Sequence, residues 1–335
     1  MGSLIDDLQE PAALPDPTTR VSLVQTHISL VFVADLFVYK VKKPVDFGFL
    51  DFSTLEKRKH YCAEEVRLNQ RLSKGVYLGV VPVTLEEGRH RLGGDGGPPV
   101  EFAVRMRRIP DDRLMRTLYE KGGLRDDHLD SVAALLAGFH CEAERSERID
   151  EFGKLESFKV NTDENFAQTE AFIGTTVQRD DFDRIRDWTR QFYQEEGGLF
   201  DKRIQKGRVR DCHGDLHMEH ICFLDPVAAI DCIEFNERFR YSDTLADIAF
   251  LLMDLEFRGG AEIAGRLWAK YSERADESGM ERLLAFYKVY RAYVRGKVIS
   301  FQLNDPQIQA RAKQEAAETA GAYFRLARHY VETAP

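Results

Sequence analysis

Cysteine is scarce here, and the few cysteines form no pattern. Five residues stand at 62, 141, 212, 222 and 232 with no Cys-x-x-Cys pair, and an odd number does not suit a disulfide framework, so a reducing compartment is predicted. Long apolar runs are missing as well. Nothing approaches the ~18 residues of a spanning helix, and residues 1–20 are acidic and proline-bearing where a signal peptide would be basic and then apolar. A cytoplasmic protein with no membrane partner is the expectation. Basic charge is in deficit, with 47 Lys+Arg against 56 Asp+Glu and a net charge of −9, which argues against a nucleic-acid partner. No P-loop is present either: the cluster Gly93-Gly94-Asp95-Gly96-Gly97 lacks the Lys-Ser/Thr ending and opens no helix, so it reads as a solvent hairpin.

What the chain does have is size and a segregated pattern. At 335 residues and 43% hydrophobic it can build two lobes and a sizeable core. Residues 1–20, with three prolines and no periodicity, predict a mobile or loosely packed N-terminal arm. Aromatic and β-branched residues from Val21 to Lys43 predict a three-strand meander, and residues 76–106 predict two more strands around the glycine cluster. Between them, Ser53-Thr54-Leu55-Glu56 has the capping-box form, so a helix should start there and run to about Lys74. Its apolar stripe is Tyr61, Leu68 and Leu72, and Glu65 falls into that stripe. A carboxylate on an inward face requires a partner. From Asp111 onward the period is helical, over 126–149, 151–174, 180–196, 246–257, 261–278, 279–302 and 306–332. Strands precede helices, which is an α+β arrangement.

Chemistry concentrates in residues 211–236. Asp215 stands in a loop five residues ahead of a metal-ligand candidate, His220, and an apolar run then leads to a second acid pair, Asp231 and Glu234. A carboxylate base close to a carboxylate metal site is what phosphoryl transfer needs, because one orients a hydroxyl while the other holds the ion that neutralises phosphates. Zinc is the competing reading, since His213, His217 and His220 have loosely suitable spacing; the full His-Glu-x-x-His pattern is absent.

His213-Gly214-Asp215 followed by Ile230-Asp231-Cys232-Ile233-Glu234-Phe235-Asn236 resembles the aminoglycoside phosphotransferase and choline kinase branch of the protein-kinase-like fold. The segments Tyr39-Lys40-Val41-Lys42-Lys43-Pro44 and Phe49-Leu50-Asp51-Phe52 are similar to those of an uncharacterised bacterial group of aminoglycoside phosphotransferase family enzymes. Some members of that group carry a fused P-loop kinase domain.

The resemblance implies a two-lobe fold, with a small antiparallel sheet and one helix at 21–107 and a mainly helical lobe at 108–335. It implies ATP and Mg2+ as cofactors and a small-molecule hydroxyl acceptor. Asp215 would be the base, His213 a residue ordering its loop and Asp247 the brace of that loop. Asp231 would hold the metal, with Glu234 a rival for the role. Lys40 or Lys42 would reach the α and β phosphates, paired with Glu65. The period of two puts both lysines on one face, so spacing does not choose between them. The loop over the phosphates has no glycine and offers Thr26 and Ser29 instead, while Met106 and Arg107 fall in the segment whose backbone holds adenine.

His220 departs from the pattern by standing where the family has a metal-binding Asn, and imidazole is a poor ligand for magnesium. A nucleotide-binding pseudokinase with an altered metal site therefore stays open beside the phosphotransferase, as does a kinase-fold nucleotidyl transferase. Tyr287, Arg291 and Arg295 share a helix face at steps of four, and read as a packed cationic face more readily than as a substrate cleft.

Overall fold

The computed structural model describes residues 2–306 and 308–335, so Met1 of the predicted arm and Gln307 of the predicted last helix lie outside the described residues. The chain divides into two compact units, Met1–Leu124 with Glu219–Glu237, and Arg125–Met218 with Arg238–Pro335.

The first unit is built on a six-stranded antiparallel sheet whose strands lie in the order 22–25, 29–33, 37–42, 101–107, 77–86 and 89–92. The predicted meander forms as β1 (Ser22–Gln25), β2 (Ser29–Val33) and β3 (Phe37–Lys42). The next segment holds three strands where two are expected: β4 (Tyr77–Glu86), β5 (Arg89–Leu92) and β6 (Glu101–Arg107). The β4–β5 turn is Glu87-Gly88, both at positive φ (51° and 79°), as a two-residue hairpin connection requires. The glycine cluster lies after β5, in the connection to β6.

Alternation along β3 sends Tyr39 and Val41 to one face and Lys40 and Lys42 to the other. The first face is apolar, with Leu30, Phe32, Tyr39, Val41, Val83 and Ala103 in one core cluster. Residues 4–14 cover that face, which corrects the expectation of a mobile or loosely packed arm. Helix α1 (Gly2–Leu8) buries Leu4 and Leu8, followed by Ala13 and Leu14. The arm's acids are engaged too, Asp7 with His90 Nδ1 at 2.7 Å and Asp16 with Arg105 and Tyr39. Its prolines and acids mask a pair of leucines four apart, which is one helix face.

The opposite face of the sheet carries α2 (Leu55–Asn69), with Cys62 and Val66 against Tyr77 and Val104. Its cap is Thr54, whose hydroxyl accepts from the Lys57 amide at 3.3 Å, one residue later than expected; the Ser53 hydroxyl donates to Asp51 instead, at 2.6 Å. A short helix α3 (Met115–Glu120) and a hairpin pairing Ile221–Cys222 with Ala228–Ala229 complete the unit.

The second unit is helical: α4 (Asp126–Glu142), α5 (Glu147–Gly153), α6 (Leu155–Thr169), α7 (Arg179–Glu196), α8 (Gly198–Gln205), the single turn α9 (Glu237–Arg240), α10 (Thr244–Phe257), α11 (Ala261–Ala275), α12 (Glu281–Ser300) and α13 (Ala310–Thr333). The predicted helix over 126–149 is two helices, because Ala143 is extended and the Ser146 hydroxyl caps a new start by accepting from the Ile149 amide at 3.2 Å. Helix α10 is buried from Thr244 to Leu255, so it has no wet face and forms the centre of the unit. Among the described residues no helix is long and apolar enough to cross a membrane.

Docking of the arm has a measurable cost when undone. Leu8 is fully buried, so Leu8→Ala should lower stability by about 2–5 kcal/mol in equilibrium urea unfolding followed by circular dichroism. An unchanged urea midpoint would mean that the arm is not part of the fold.

Candidate active site

In the first unit, Glu65 points inward from α2 and is fully buried. Its carboxylate grips both strand lysines, Oε1 lying 2.9 Å from Lys40 Nζ and Oε2 accepting from Lys42 Nζ at 2.6 Å. Lys40 also donates to Asp231 Oδ1 at 2.6 Å, and Lys42 donates to Glu234. Three carboxylates thus share two ammonium groups. Exposure separates the four outer members: the Lys42 side chain is 0% exposed and that of Glu234 5%, against 15% for Lys40 and 45% for Asp231.

Titration follows from that sharing. Burial alone would pull the Lys40 ammonium down, yet the charges of Asp231, Glu65 and Glu234 hold it well above its ordinary value. Lys42 is raised in the same way, its burial outweighed by Glu234 and Glu65. Burial pushes Glu65 up, and the two lysines bring it below the usual value. For Glu234 burial prevails over Lys42 and the carboxyl is raised.

Backbone geometry fixes the acid hairpin. Ile230 N donates to His220 O at 2.9 Å, which sets His220 beside Asp231 with Nε2 3.6 Å from Oδ2. Asp231 has a φ of 61°, a left-handed conformation that Asp tolerates better than most residues. Its amide donates to the Tyr77 hydroxyl at 3.1 Å, and the Cys232 amide donates to Asn69 Oδ1 at 2.9 Å. Asn69 in turn donates to the Glu65 carbonyl at 2.8 Å, so α2 and the hairpin are tied at one residue. Sequence reasoning missed Asn69 and Tyr77; the signal for Asn69 was its place one turn after Glu65.

Thr26, Ser29, Met106 and Arg107 lie on the sheet outside this ion-pair network. The Thr26 hydroxyl accepts from the amides of Ile28 (3.3 Å) and Ser29 (2.9 Å), which holds the β1–β2 turn together. Ser29 is fully buried and sits opposite Lys42 in the β2–β3 register. Met106 pairs with Val38 and Tyr77, Arg107 pairs with Phe37, and the Arg107 amide donates to Val76 O at 2.8 Å.

In the second unit, the buried Asp247 of α10 collects the His-Gly-Asp loop. Oδ2 accepts from the His213 amide and Oδ1 from the Gly214 amide, both at 2.9 Å, with His140 Nε2 3.2 Å away. Burial pushes the Asp247 carboxyl up, but the hydrogen bond and charge of His140, with the charges of His213 and Arg291, hold it well below the usual carboxylate range. Arg291 takes the other side of the same peptide, donating from Nη1 to Gly214 O and from Nε to Ala246 O, both at 3.0 Å. Gly214, at φ 87°, occupies backbone space that suits glycine.

The loop is held at further points by the Asp215 amide donating to His213 Nδ1 (3.3 Å) and the Met218 amide donating to Asp254 Oδ2 (3.0 Å). Asp215 itself keeps a 34% exposed side chain, with Oδ2 3.5 Å from His217 Nε2. Arg291, Asp254 and His140 were missed as supports of the loop. Arg291 looked like one more cation on a helix face, and only its burial reveals the role.

His140, Cys212 and Asp247 bring donor atoms within 4.8 Å of one another, as a zinc site would. Each is engaged by protein instead: His140 with the Tyr271 hydroxyl (2.8 Å), the Cys212 thiol with Ser242 O (3.4 Å), and Asp247 with the loop amides. This cluster is a hydrogen-bonded brace.

Asp247 should dominate the acid limb of stability. A carboxyl whose folded value lies below its unfolded value of about 3.9 contributes stability fully present above that pH and lost as the pH falls through the folded value. Asp247→Asn should cost about 3–5 kcal/mol at pH 7 by leaving its partners uncompensated. It should also flatten the loss of urea midpoint below about pH 4. An acid limb of unchanged slope would refute this account.

Comparisons with known proteins place the chain. A profile of the phosphotransferase enzyme family matches residues 49–286, a span that includes Glu65, Asp215, Asp231 and Asp247. Uncharacterized proteins of Mycobacterium bovis and Mycobacterium tuberculosis are 34% identical over 295 residues, which is 87% of this chain and 57% of theirs. The chain therefore spans little more than half the length of these curated relatives. Among solved structures, a choline/ethanolamine kinase family protein from Mesorhizobium loti has a TM-score of 0.53 at 14% identity, covering 98% of both chains. Amicoumacin kinase, in complex with AMP-PNP, Ca2+ and Ami, has a TM-score of 0.51 at 12% identity, covering 94% of this chain and 89% of its own. At such identities the likeness is one of fold, and the fold is α+β and kinase-like, with a curled antiparallel sheet in one part and helices in the other. By the match over 49–286, the chain belongs to the phosphotransferase enzyme family.

Proposed function

We propose that this chain is a cytoplasmic small-molecule kinase that moves the γ-phosphoryl group of ATP to a hydroxyl, with Asp215 as the base. The observation that carries the reading is the enclosed Glu65 gripped by two strand lysines, one of which also reaches Asp231. Phosphoryl transfer asks a protein chiefly for positioned cations and a positioned acceptor. The acceptor hydroxyl gives its proton to the Asp215 carboxylate as its oxygen attacks the γ-phosphorus, and ADP leaves. Asp247 and Arg291 hold the Gly214 peptide, so the direction of Asp215 is set before the acceptor arrives.

Lys40 is the lysine that reaches phosphate, since it is partly exposed, while the enclosed Lys42 keeps Glu65 and Glu234 neutralised. Asp231 would hold the divalent cation, because its carboxylate is 45% exposed and Glu234 is closed in by Lys42. When bound, such an ion neutralises charge on the phosphates. None of the five cysteines is in a disulfide, which suits a reducing cytoplasm. A non-catalytic nucleotide sensor is the second reading, favoured by the 2.6 Å pairing of Lys40 with Asp231, which ties the phosphate lysine to the metal acid.

The test is transfer of label from γ-labelled and, in parallel, α-labelled ATP to a panel of aminoglycosides and amino alcohols. Asp215→Asn should lower kcat by about 10²–10⁴ and leave ATP binding, read by thermal shift, unchanged. Undiminished turnover in Asp215→Asn would overturn the assignment. ATP binding without turnover would favour the sensor, and label transferred only from the α position would mark nucleotidyl transfer.

A further inference from the structure

We infer that the cation site on the 221–231 hairpin is built for a borderline divalent ion of the Mn2+ class, taken through the imidazole of His220, in preference to Mg2+. The inference rests on the phosphotransferase reading for the location of the site and goes beyond it in the identity of the ion.

The placement of the pair is fixed by backbone. Ile221 pairs with Ala229, and Ile230 N donates to His220 O, so His220 and Asp231 stand side by side on one end of a two-strand ladder. Their side chains converge, Nε2 lying 3.6 Å from Oδ2. Two ligands each ~2.1 Å from one ion lie roughly 3.0–3.5 Å apart, so a shift of a few tenths of an ångström closes the pair on a metal. The other Asp231 oxygen, Oδ1, is bonded by Lys40, so the His220-facing oxygen is the one directed to the ion.

The donor chemistry then selects among ions. Magnesium demands hard oxygen ligands in near-ideal octahedral geometry, whereas imidazole suits transition-type ions, and Mn2+ accepts carboxylate and phosphate oxygens beside a nitrogen. Neighbouring groups keep the set at nitrogen and oxygen. Glu234 is held by Lys42. Cys222 is fully buried and its thiol donates to the His220 carbonyl at 3.9 Å, so its sulfur is turned to the backbone.

The experiment loads the 335-residue chain with Mn2+ and tripolyphosphate, which brings no nitrogen of its own, and reads electron spin-echo modulation from the bound ion. Wild type should show 14N modulation from the imidazole, and His220→Asn and His220→Gln should each lose it. Competition by Mg2+, followed by the free-Mn2+ signal, should show the preference for Mn2+ falling at least ~10-fold in both variants. Thermal midpoints confirm that the variants are folded, and having two guards against one failing.

Bound Mn2+ that depends on Asp231 but shows no 14N modulation in wild type would overturn this inference and leave the phosphotransferase reading intact. An unchanged Mn2+/Mg2+ ratio in both variants would overturn it as well. Failure of the phosphotransferase reading shows separately, as absence of label transfer from ATP in the turnover assay.

Discussion

Glu65 lies out of contact with water between a sheet and the helix that carries it, and two ammonium groups keep it charged there. A carboxylate taken from water without such partners would take up a proton or unfold its surroundings. The pairing therefore sets conditions on the rest of the first unit. β3 must present Lys40 and Lys42 on the face opposite its apolar residues, α2 must start at Leu55 so that Glu65 faces in, and the hairpin must return Asp231 and Glu234 to the lysines. Because three acids meet two bases, one acid is held less firmly in its charged form. Burial settles that on Glu234.

The second unit repeats the logic with different groups. Asp247 is enclosed and is kept charged by hydrogen bonds from two backbone amides and by His140. In each unit a buried acid organises its surroundings and a partly exposed acid is displayed: Asp231 beside Glu65, and Asp215 beside Asp247. The division suits chemistry that needs carboxylates in fixed positions but reachable from solvent. An exposed acid alone would wander among rotamers, and a buried one alone would touch no substrate.

Much of this was legible in the sequence, and the failures have physical causes. The meander shows in its period of two, the α+β order in the shift to a helical period near Asp111, and the inward phase of Glu65 in the stripe of Tyr61, Leu68 and Leu72. The choice between Lys40 and Lys42 was not legible, because alternation puts both on one face and only tertiary packing encloses one. The docked arm was hidden because composition weighs its acids and prolines while the core uses Leu4 and Leu8. Arg291 was hidden for the opposite reason: a cation on an amphipathic-looking face reads as solvated until the helix is seen to be covered on that side. The extra strand β5 is four residues long, too short for a period to declare itself.

The charges around the strand lysines also bear on how the protein would meet reactive small molecules. Electrophiles aimed at lysine, such as acyl phosphates and sulfonyl fluorides, consume the neutral amine. Lys40 and Lys42 are held in their protonated form by carboxylates at hydrogen-bond distance. Neither is a nucleophile while those contacts last. Acylation of Lys40 would thus report the moments when Asp231 and Glu65 let go of it, which makes covalent labelling of that residue a clock for the opening of the ion-pair cluster.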